Sequence, residues 1–489
     1  MKPLSVMLSM LAIGITSSAA MAQSANLPNA RLVNASLPNA SLPNVSPANS
    51  DLVNRGAYIA RAADCMACHS EDYAGGSAIE TPMGDIYSTN ITPSKRYGIG
   101  KYTQADLKKV LQQGRTPDHM LYPAMPYPSY NGMTDEDISA LFAYLQTVPA
   151  VDVAPDYKTD LPFPFNFRSL MLGWNLINVP STENRDGLTQ TQQRGEYLVN
   201  NLAHCGTCHT PRNSTMGFDK DMYLSGAPLG NWYAPNITPD DSSGIGSWSE
   251  QDMVTYLRTG ELDQRAYAGG PMGEVVTHST RYLKDEDLGA IASYLKAVPA
   301  IQTDDKVTAV DVARLPSPAS ESITHDLLEQ KDYLAQAKAS VGAGSNSPEA
   351  LYLATCGSCH GVDGYAQPDA RYAPIVGLSS IRRDKPDALI NVILYGVDSG
   401  LNTAPKMPGF SEDLNSEQIA GIANYVRVNL GGLANSDVNA DDVDRVMTAE
   451  PERPFLIKHA GLLAIIGIIV AIIIIAFIIR AIMSSRRRR

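Results

Sequence analysis

The chain has 489 residues, enough for two to four domains, and 44% of them are hydrophobic against 18% charged, so most of the chain can fold into packed cores. Its three tryptophans are too few for a Trp-rich propeller. The formal net charge is −12, and about −18 without Lys2 and the five arginines near the far end. Such an acidic body excludes the basic face of a nucleic-acid-binding protein, so no nucleic acid is expected as a partner.

The first 50 residues predict export followed by a tether. An apolar run from Leu4 to Ile15 leads to Ala20-Met21-Ala22, a cleavage pattern typical of secretory signals, so residues 1–22 are interpreted as a signal peptide. The alternative, an uncleaved anchor, is disfavoured because the run is too short to cross a bilayer. Residues 23–50 repeat Ser-Leu-Pro-Asn, which predicts a flexible linker.

Two long stretches of the chain are duplicates of each other. An Arg-Gly-x-Tyr segment precedes a Cys-x-x-Cys pair in both, at residues 55–58 and 194–197. An Asn-Ile-Thr-Pro segment follows each pair, at residues 90–93 and 236–239. We therefore predict two homologous domains, domain 1 at 51–155 and domain 2 at 180–302.

A third repeat is recognised by its closing helix. Apolar residues at Ile419, Ile422, Ala423 and Val426 form one stripe of an amphipathic helix, with the same spacing as the stretches that start at Ile138 and Leu288. Each repeat is expected to consist of a helix, a cysteine motif, a long loop and a final helix, so the predicted fold class is all-α. The remaining assignments are domain 3 at 346–435 and linkers at 303–345 and 436–455.

The six cysteines predict three covalently bound c-type haems. They form three Cys-x-x-Cys pairs, each followed at once by a histidine. Two thiols one helical turn apart can add to the two vinyl groups of a porphyrin, and the adjacent histidine then comes under the iron. The predicted attachment residues are Cys65, Cys68, Cys205, Cys208, Cys356 and Cys359, and the proximal ligands are His69, His209 and His360.

Zinc and disulfides are the rival interpretations of these cysteines. A zinc site would combine two Cys-x-x-Cys pairs and would not need a histidine at the same place after each. A disulfide framework would not repeat one spacing three times. Both rivals are therefore disfavoured.

A methionine before the last helix of each repeat predicts the second iron ligand. Met125, Met272 and Met407 occupy equivalent loops, although most methionines simply fill cores. A thioether ligand raises the reduction potential of a haem and closes the iron to small molecules. Met120 and His119 remain rivals to Met125, and His278 lies close to Met272. No catalytic residue is predicted.

Residues 456–480 predict a transmembrane helix, followed by a basic cytoplasmic tail at 481–489. Ala460 to Ile479 contains 20 residues without a charge, about 30 Å of helix and thus one hydrocarbon thickness. The alternative, a core helix of a soluble protein, is disfavoured because Lys458 and Arg480 flank the run. The positive-inside tendency places the haem domains on the periplasmic side of the inner membrane, with membrane lipid as a partner.

The chain resembles a known family in these motifs. Three consecutive c-type motifs, the paired Asn-Ile-Thr-Pro segments and the stretches at 121–128 and 205–212 are similar to the triheme cytochrome c subunits of membrane-bound periplasmic dehydrogenases of acetic acid bacteria. The resemblance covers nearly all of residues 51–435. It implies three tandem cytochrome c domains and a catalytic dehydrogenase partner of the molybdopterin, PQQ (quinoprotein) or flavin type. It also implies that electrons pass from that partner to ubiquinone.

The expected function is therefore that of a non-catalytic electron-transfer and anchoring subunit of a dehydrogenase that oxidises an aldehyde, an alcohol or a sugar. Two alternatives remain open. One is a cytochrome c subunit of a terminal oxidase, and the other is a haem peroxidase, which would need an iron without its methionine. The clean membrane helix favours an aldehyde or sugar dehydrogenase over the alcohol branch.

Overall fold

The computed structural model describes residues 47–179, 186–230, 232–262, 265–310, 315, 323–365, 372, 374–397, 406–448 and 454–487. The signal peptide and nearly all of the 23–50 linker lie outside these residues. The described part is mainly helical. Its helices are α1 Pro47–Ala62, α2 Cys65–His69, α3 Gln104–Gln113, α4 Tyr127–Tyr130, α5 Asp135–Leu145, α6 Leu170–Asn178, α7 Gln190–Tyr197, α8 Gly206–His209, α9 Glu250–Thr259, α10 Pro271–His278, α11 Asp285–Ala297, α12 Ile323–Gly342, α13 Pro348–Thr355, α14 Gly357–His360, α15 Asp387–Tyr395, α16 Ser416–Tyr425, α17 Ala440–Thr448, α18 Phe455–Lys458 and α19 Ala460–Arg487.

Short strands qualify the all-α prediction. The long loops turn back on themselves and form three two-stranded antiparallel sheets within the described residues. Each strand has only two or three residues, so the sheets stabilise the loops and do not form a layer of the fold. The pairs are β1 Ala78–Ile79 with β2 Ile86–Tyr87, β3 Ala227–Leu229 with β4 Trp232–Ala234, and β5 Glu261–Leu262 with β6 Ala266–Tyr267.

The first and last helices of domains 1 and 2 cross at a glycine. A Cβ atom at Gly56 would lie 2.0 Å from the carbonyl oxygen of Ala140, and one at Gly195 would lie 1.9 Å from that of Ala290. Only glycine therefore permits α1 to approach α5, and α7 to approach α11, this closely. The recurring Arg-Gly-x-Tyr segment thus encodes the helix crossing on which each domain is built.

Domains 1 and 2 contact each other reciprocally. The Tyr58 hydroxyl of domain 1 donates to Asp287 of domain 2, and the Tyr197 hydroxyl of domain 2 donates to Asp137 of domain 1 at 2.7 Å. Equivalent residues of the two domains therefore make the same contact in both directions, as in the isologous interface of a symmetric dimer. Buried residues of both domains form a single hydrophobic core.

Domain 3 has a separate core, formed mainly by α13, α15, α16 and α17. The predicted linker at 303–345 is more structured than its name implies. Helix α12 lies within it and packs against α13. Backbone hydrogen bonds also join its first residues to domain 2 through Ser242 and to domain 3 through Arg382.

The C-terminal helix α19 is the one described helix that is long and apolar enough to cross a membrane. The most apolar 18-residue window of the stretch Ala460–Ser484 has a mean hydropathy of 3.6, and none of that window is buried against the protein. It begins four residues later than the predicted segment, because the short helix α18 precedes it.

Candidate haem sites

Each cysteine motif folds as one turn of helix. In α2 the two cysteines, Cys65 and Cys68, are three residues apart, so their sulfur atoms share a face, and His69 ends the same turn. The motifs at α8 and α14 repeat this arrangement. In domains 1 and 2 the residue before the first cysteine is left-handed, with φ 49° at Asp64 and 38° at His204. A non-glycine residue in this region is a costly conformation that clusters at functional sites.

Two of the predicted proximal histidines are held by backbone carbonyls. The Nδ1 atom of His69 lies 2.6 Å from the Thr89 oxygen, and that of His209 lies 2.7 Å from the Pro235 oxygen. A proton on Nδ1 leaves the Nε2 lone pair for a metal, which is the usual role of such a second partner. Burial lowers the pKa of both imidazoles, so each stays neutral and able to coordinate.

These contacts explain the recurring Asn-Ile-Thr-Pro segments, whose role the sequence alone did not reveal. Thr89 and Pro235 directly precede the two segments. The side chains of Asn90 and Asn236 each accept a hydrogen bond from the backbone N–H two residues later, at 2.8 Å. The asparagine thereby fixes the turn that presents the carbonyl oxygen to the histidine.

The cysteine environment fits thioether attachment better than zinc. Burial raises the pKa of Cys65 and Cys205 to about 12 and that of Cys356 to about 11, so these sites oppose the thiolate form that zinc requires. Covalent attachment uses an uncharged sulfur and carries no such penalty. All six cysteines are described and none forms a disulfide. Within the described residues, no cluster of three or more His, Cys, Asp or Glu could hold a metal ion.

One large cavity lies between domains 2 and 3. Its volume is about 1560 Å³, more than the roughly 300–1,000 Å³ of an ordinary single ligand site. A cavity of this size fits two large planar groups better than one. The predicted ligands of both domains line it: Cys205, Cys208, His209, Met272, Cys356, Cys359, His360 and Met407.

Charged side chains of both signs line this cavity. Arg265 and Arg382 face it from domains 2 and 3, and burial lowers the pKa of Arg382. The buried amide oxygen of Asn391 also lines the cavity and has no partner. The two guanidinium groups fit a bound group that carries carboxylates, as a haem does, whereas the Asn391 oxygen can only accept a hydrogen bond from a donor.

Domain 1 brings its motif close to that of domain 2. Tyr130 joins them: its hydroxyl donates to the Ala63 carbonyl, two residues before Cys65, at 2.8 Å, and its ring centroid lies 5.4 Å from that of His204, which directly precedes Cys205. Met125 and Cys65 pack against the core that the two domains share. The structure therefore places the motif of domain 2 between the other two.

Four histidines outside the three cysteine motifs make other contacts. The His278 Nε2 atom lies 3.0 Å from a Glu274 carboxylate oxygen, and the Nδ1 atom of His119 lies 3.2 Å from the Thr116 hydroxyl. His204 lies edge-on to the Tyr130 ring, and burial lowers its pKa to about 4. His459 packs against Phe455 and directly precedes α19.

Two family models match the chain. The model for cytochrome c matches residues 53–149, and the model for cbb3-type cytochrome c oxidase subunit III matches residues 344–426. These ranges cover most of domains 1 and 3. Neither range includes residues of domain 2.

Full-length relatives are cytochrome subunits of dehydrogenases. The fructose dehydrogenase cytochrome subunit of Gluconobacter japonicus is 42% identical over 88% of this chain and 90% of its own length. The cytochrome c subunit of alcohol dehydrogenase (quinone) from Gluconacetobacter polyoxogenes is 38% identical over 82% and 85%. The cytochrome c subunit of gluconate 2-dehydrogenase from Pantoea cypripedii is 38% identical over 81% and 89%.

Proposed function

Because this chain belongs to the family of cytochrome c subunits of fructose, alcohol and gluconate dehydrogenases, we propose that it carries three c-type haems in line and conducts electrons from a catalytic subunit to ubiquinone. The observation that carries the proposal is the order of the motifs in space. The motif of domain 2 is joined to that of domain 1 through Tyr130, and it shares a cavity with that of domain 3. Neighbouring sites of this kind suit stepwise transfer.

The chain would hold each haem with four residues. Two cysteines attach the macrocycle, and a histidine and a methionine complete the ligation of the iron, which would cycle between two oxidation states. The Thr89 and Pro235 carbonyls orient His69 and His209. The methionines Met125, Met272 and Met407 would exclude other ligands, which suits transfer and disfavours the peroxidase alternative.

The membrane helix α19 supports an anchoring role. Its apolar stretch of 25 residues is long enough to span, and a helix satisfies every backbone group in lipid. With the arginine-rich end in the cytoplasm, the haem domains would lie in the periplasm and deliver electrons to quinone in the same bilayer. Ending the chain after Thr448 should make it extractable without detergent while all three haems remain.

The oxidised substrate belongs to the catalytic partner. The identity of 42% with the fructose dehydrogenase subunit, against 38% with the alcohol and gluconate subunits reported above, favours a sugar dehydrogenase. The match of domain 3 to a cbb3-type oxidase subunit favours the oxidase alternative, but it covers one domain only. Co-purification separates the two proposals: a large dehydrogenase subunit supports the first, and an oxidase core subunit contradicts it.

Haem stoichiometry tests the proposed number of sites. The mature chain should carry three covalent haems, counted by intact mass spectrometry and by a pyridine haemochrome assay against protein mass. Cys68→Ser, Cys208→Ser and Cys359→Ser should each remove one. Two or fewer haems in a fully matured sample would contradict the proposal.

Ligand exchange tests the methionines. Met125→Leu and Met407→Leu should each open one iron, lower its reduction potential and allow carbon monoxide to bind when it is reduced. The matched control is Met447→Leu, because Met447 is exposed on α17 and lies outside every predicted site. Stoichiometric carbon monoxide binding by the unaltered protein would favour an open, peroxidase-like haem instead.

A further inference from the structure

An exposed apolar surface lies on the segment that connects domains 1 and 2. We call it the connector face and define it by Phe163, Phe167, Leu170, Leu172, Leu176 and Ile177, all of which are exposed. Leu176 is 89% exposed and Ile177 is 72% exposed. Soluble proteins seldom expose contiguous large apolar side chains unless something covers them.

Helix α6 is built with its polar side inward. The Asn175 amide oxygen accepts a hydrogen bond from the Tyr127 hydroxyl at 2.7 Å, and the Trp174 ring N–H donates to the Thr215 carbonyl at 2.8 Å. Asn178 is buried. A helix on a soluble protein normally turns its polar side to water, so α6 has the opposite polarity and faces an apolar environment.

The remaining contacts fix this orientation. Phe165 and Met171 pack against a cluster of Ile86, Tyr122 and Leu161, and the Tyr122 hydroxyl donates to the Phe165 carbonyl at 2.7 Å. Arg168 is the only charged residue from Leu161 to Val179. It donates to the Met120 carbonyl and lies over the Tyr122 ring, so its charge is directed toward domain 1.

The start of the membrane helix adjoins the connector face. A Cβ atom at Gly461 would lie 3.7 Å from the Phe163 carbonyl oxygen and 3.9 Å from its ring. Gly461 is the second residue of α19, and Phe455 just before that helix is also exposed. The connector face is therefore continuous with the point where α19 would enter the bilayer.

We propose that the connector face rests in the surface of the membrane that α19 spans, so that the chain binds lipid at two places. The proposal depends on the anchoring role proposed above. An apolar helix face of this type would enter about 5–10 Å into the boundary between headgroups and acyl chains. The same segment contacts the 120–127 loop through Tyr122 and Tyr127, and so would hold domain 1, with Met125, beside the lipid.

Lipid cross-linking tests the proposal on the unaltered protein. The full-length holoprotein, assembled with its catalytic subunit, is placed in phosphatidylcholine nanodiscs that contain a lipid with a diazirine in its acyl chain, and labelled peptides are identified by mass spectrometry. Labels are expected on 161–179 and on 460–487. Labels on 460–487 alone would overturn the surface contact and leave the anchor intact. No label on 460–487 would overturn the anchor itself.

Substitutions sharpen the test. Leu172→Lys with Leu176→Lys should remove the label from 161–179 and leave that on 460–487 unchanged, with all haems present. Met447→Lys, a matched change at an exposed apolar residue outside the face, should alter neither. If residues 161–179 instead cross-link to the catalytic subunit and receive no lipid label, the face is a protein docking surface and the proposal is wrong.

Discussion

Domains 1 and 2 meet through equivalent surfaces. Domain 3 meets domain 2 across a cavity and through residues 303–308, whose backbone forms hydrogen bonds with both domains. In the first pair, each domain receives a tyrosine hydroxyl of the other on an aspartate, and one hydrophobic core serves both. Domain 3 keeps its own core. Domains 1 and 2 therefore form a self-complementary pair of duplicated domains with fixed spacing. The diverged third domain is attached to this pair by fewer, more polar contacts.

The segment directly after domain 2, residues 303–308, is joined to domain 3 by a buried ion pair. Asp305 forms a buried ion pair with Arg383 at 3.0 Å, and its other carboxylate oxygen accepts from the Lys385 backbone N–H at 3.2 Å. Neighbouring Val307 donates its N–H to the Ser242 carbonyl of domain 2. Asp305 therefore connects the segment after domain 2 to the loop before α15.

Removing Asp305 should have the largest effect. Asp305→Ala leaves the Arg383 guanidinium buried without its carboxylate, which costs about 3–5 kcal/mol. Because domain 3 has its own core, calorimetry should then show it unfolding in a separate, earlier transition. The control is Asp304→Ala at the adjacent exposed residue, which should leave the calorimetric profile of the protein unchanged. If Asp305→Ala lowers the stability of domain 1 equally, the three domains form one cooperative body.

Glycine-to-alanine substitutions at the helix crossings should change stability in opposite directions in domain 2 and domain 3. Gly195→Ala forces a Cβ against the Ala290 carbonyl and should destabilise domain 2 by about 1–3 kcal/mol or more. In domain 3 the glycine of the crossing is Gly421, where a Cβ would lie 3.5 Å from the Pro348 ring, an ordinary contact. Gly421→Ala should therefore stabilise α16 by up to about 1 kcal/mol. Chemical denaturation measures both, and destabilisation by Gly421→Ala would show that all three crossings are equally tight.

Acid should weaken the paired domains through Asp287. Burial tends to raise the pKa of this carboxyl, but hydrogen bonds from Arg194 and Tyr58 outweigh burial and hold the pKa below its usual value. The stabilisation is therefore complete above the unfolded pKa of about 3.9 and is lost as the pH falls through the lower folded pKa.

The measurement is the stability of the domain 1–2 pair between neutral pH and pH 3. Asp287→Asn should lower the stability at neutral pH by a small amount and flatten this part of the pH profile. Asp285→Asn is the control, since its side chain is mostly exposed. An unchanged acid profile in Asp287→Asn would mean that other carboxylates govern the interface.

Sequence patterns predict the candidate sites in more detail than they predict the arrangement of the domains. The Cys-x-x-Cys-His spacing is local, so it predicted the helical turns of all three motifs. The Arg-Gly-x-Tyr repeat was visible too, but its meaning depends on Ala140 and Asp287, which are distant in sequence. The polarity of α6 was missed because apolar residues alone do not show which side of a helix faces outward.

In the proposed function, electrons pass through the haem of domain 2 on their way between the other two. The direct measurement uses the complex with Cys205→Ser and Cys208→Ser together, which should retain two haems. On addition of the substrate of the catalytic subunit, rapid-mixing absorbance should show one of these two haems reduced promptly and the other left oxidised, with quinone reduction abolished. Dithionite should reduce both haems and so confirm that they are intact. Prompt reduction of both haems by substrate, with quinone reduction preserved, would contradict the account.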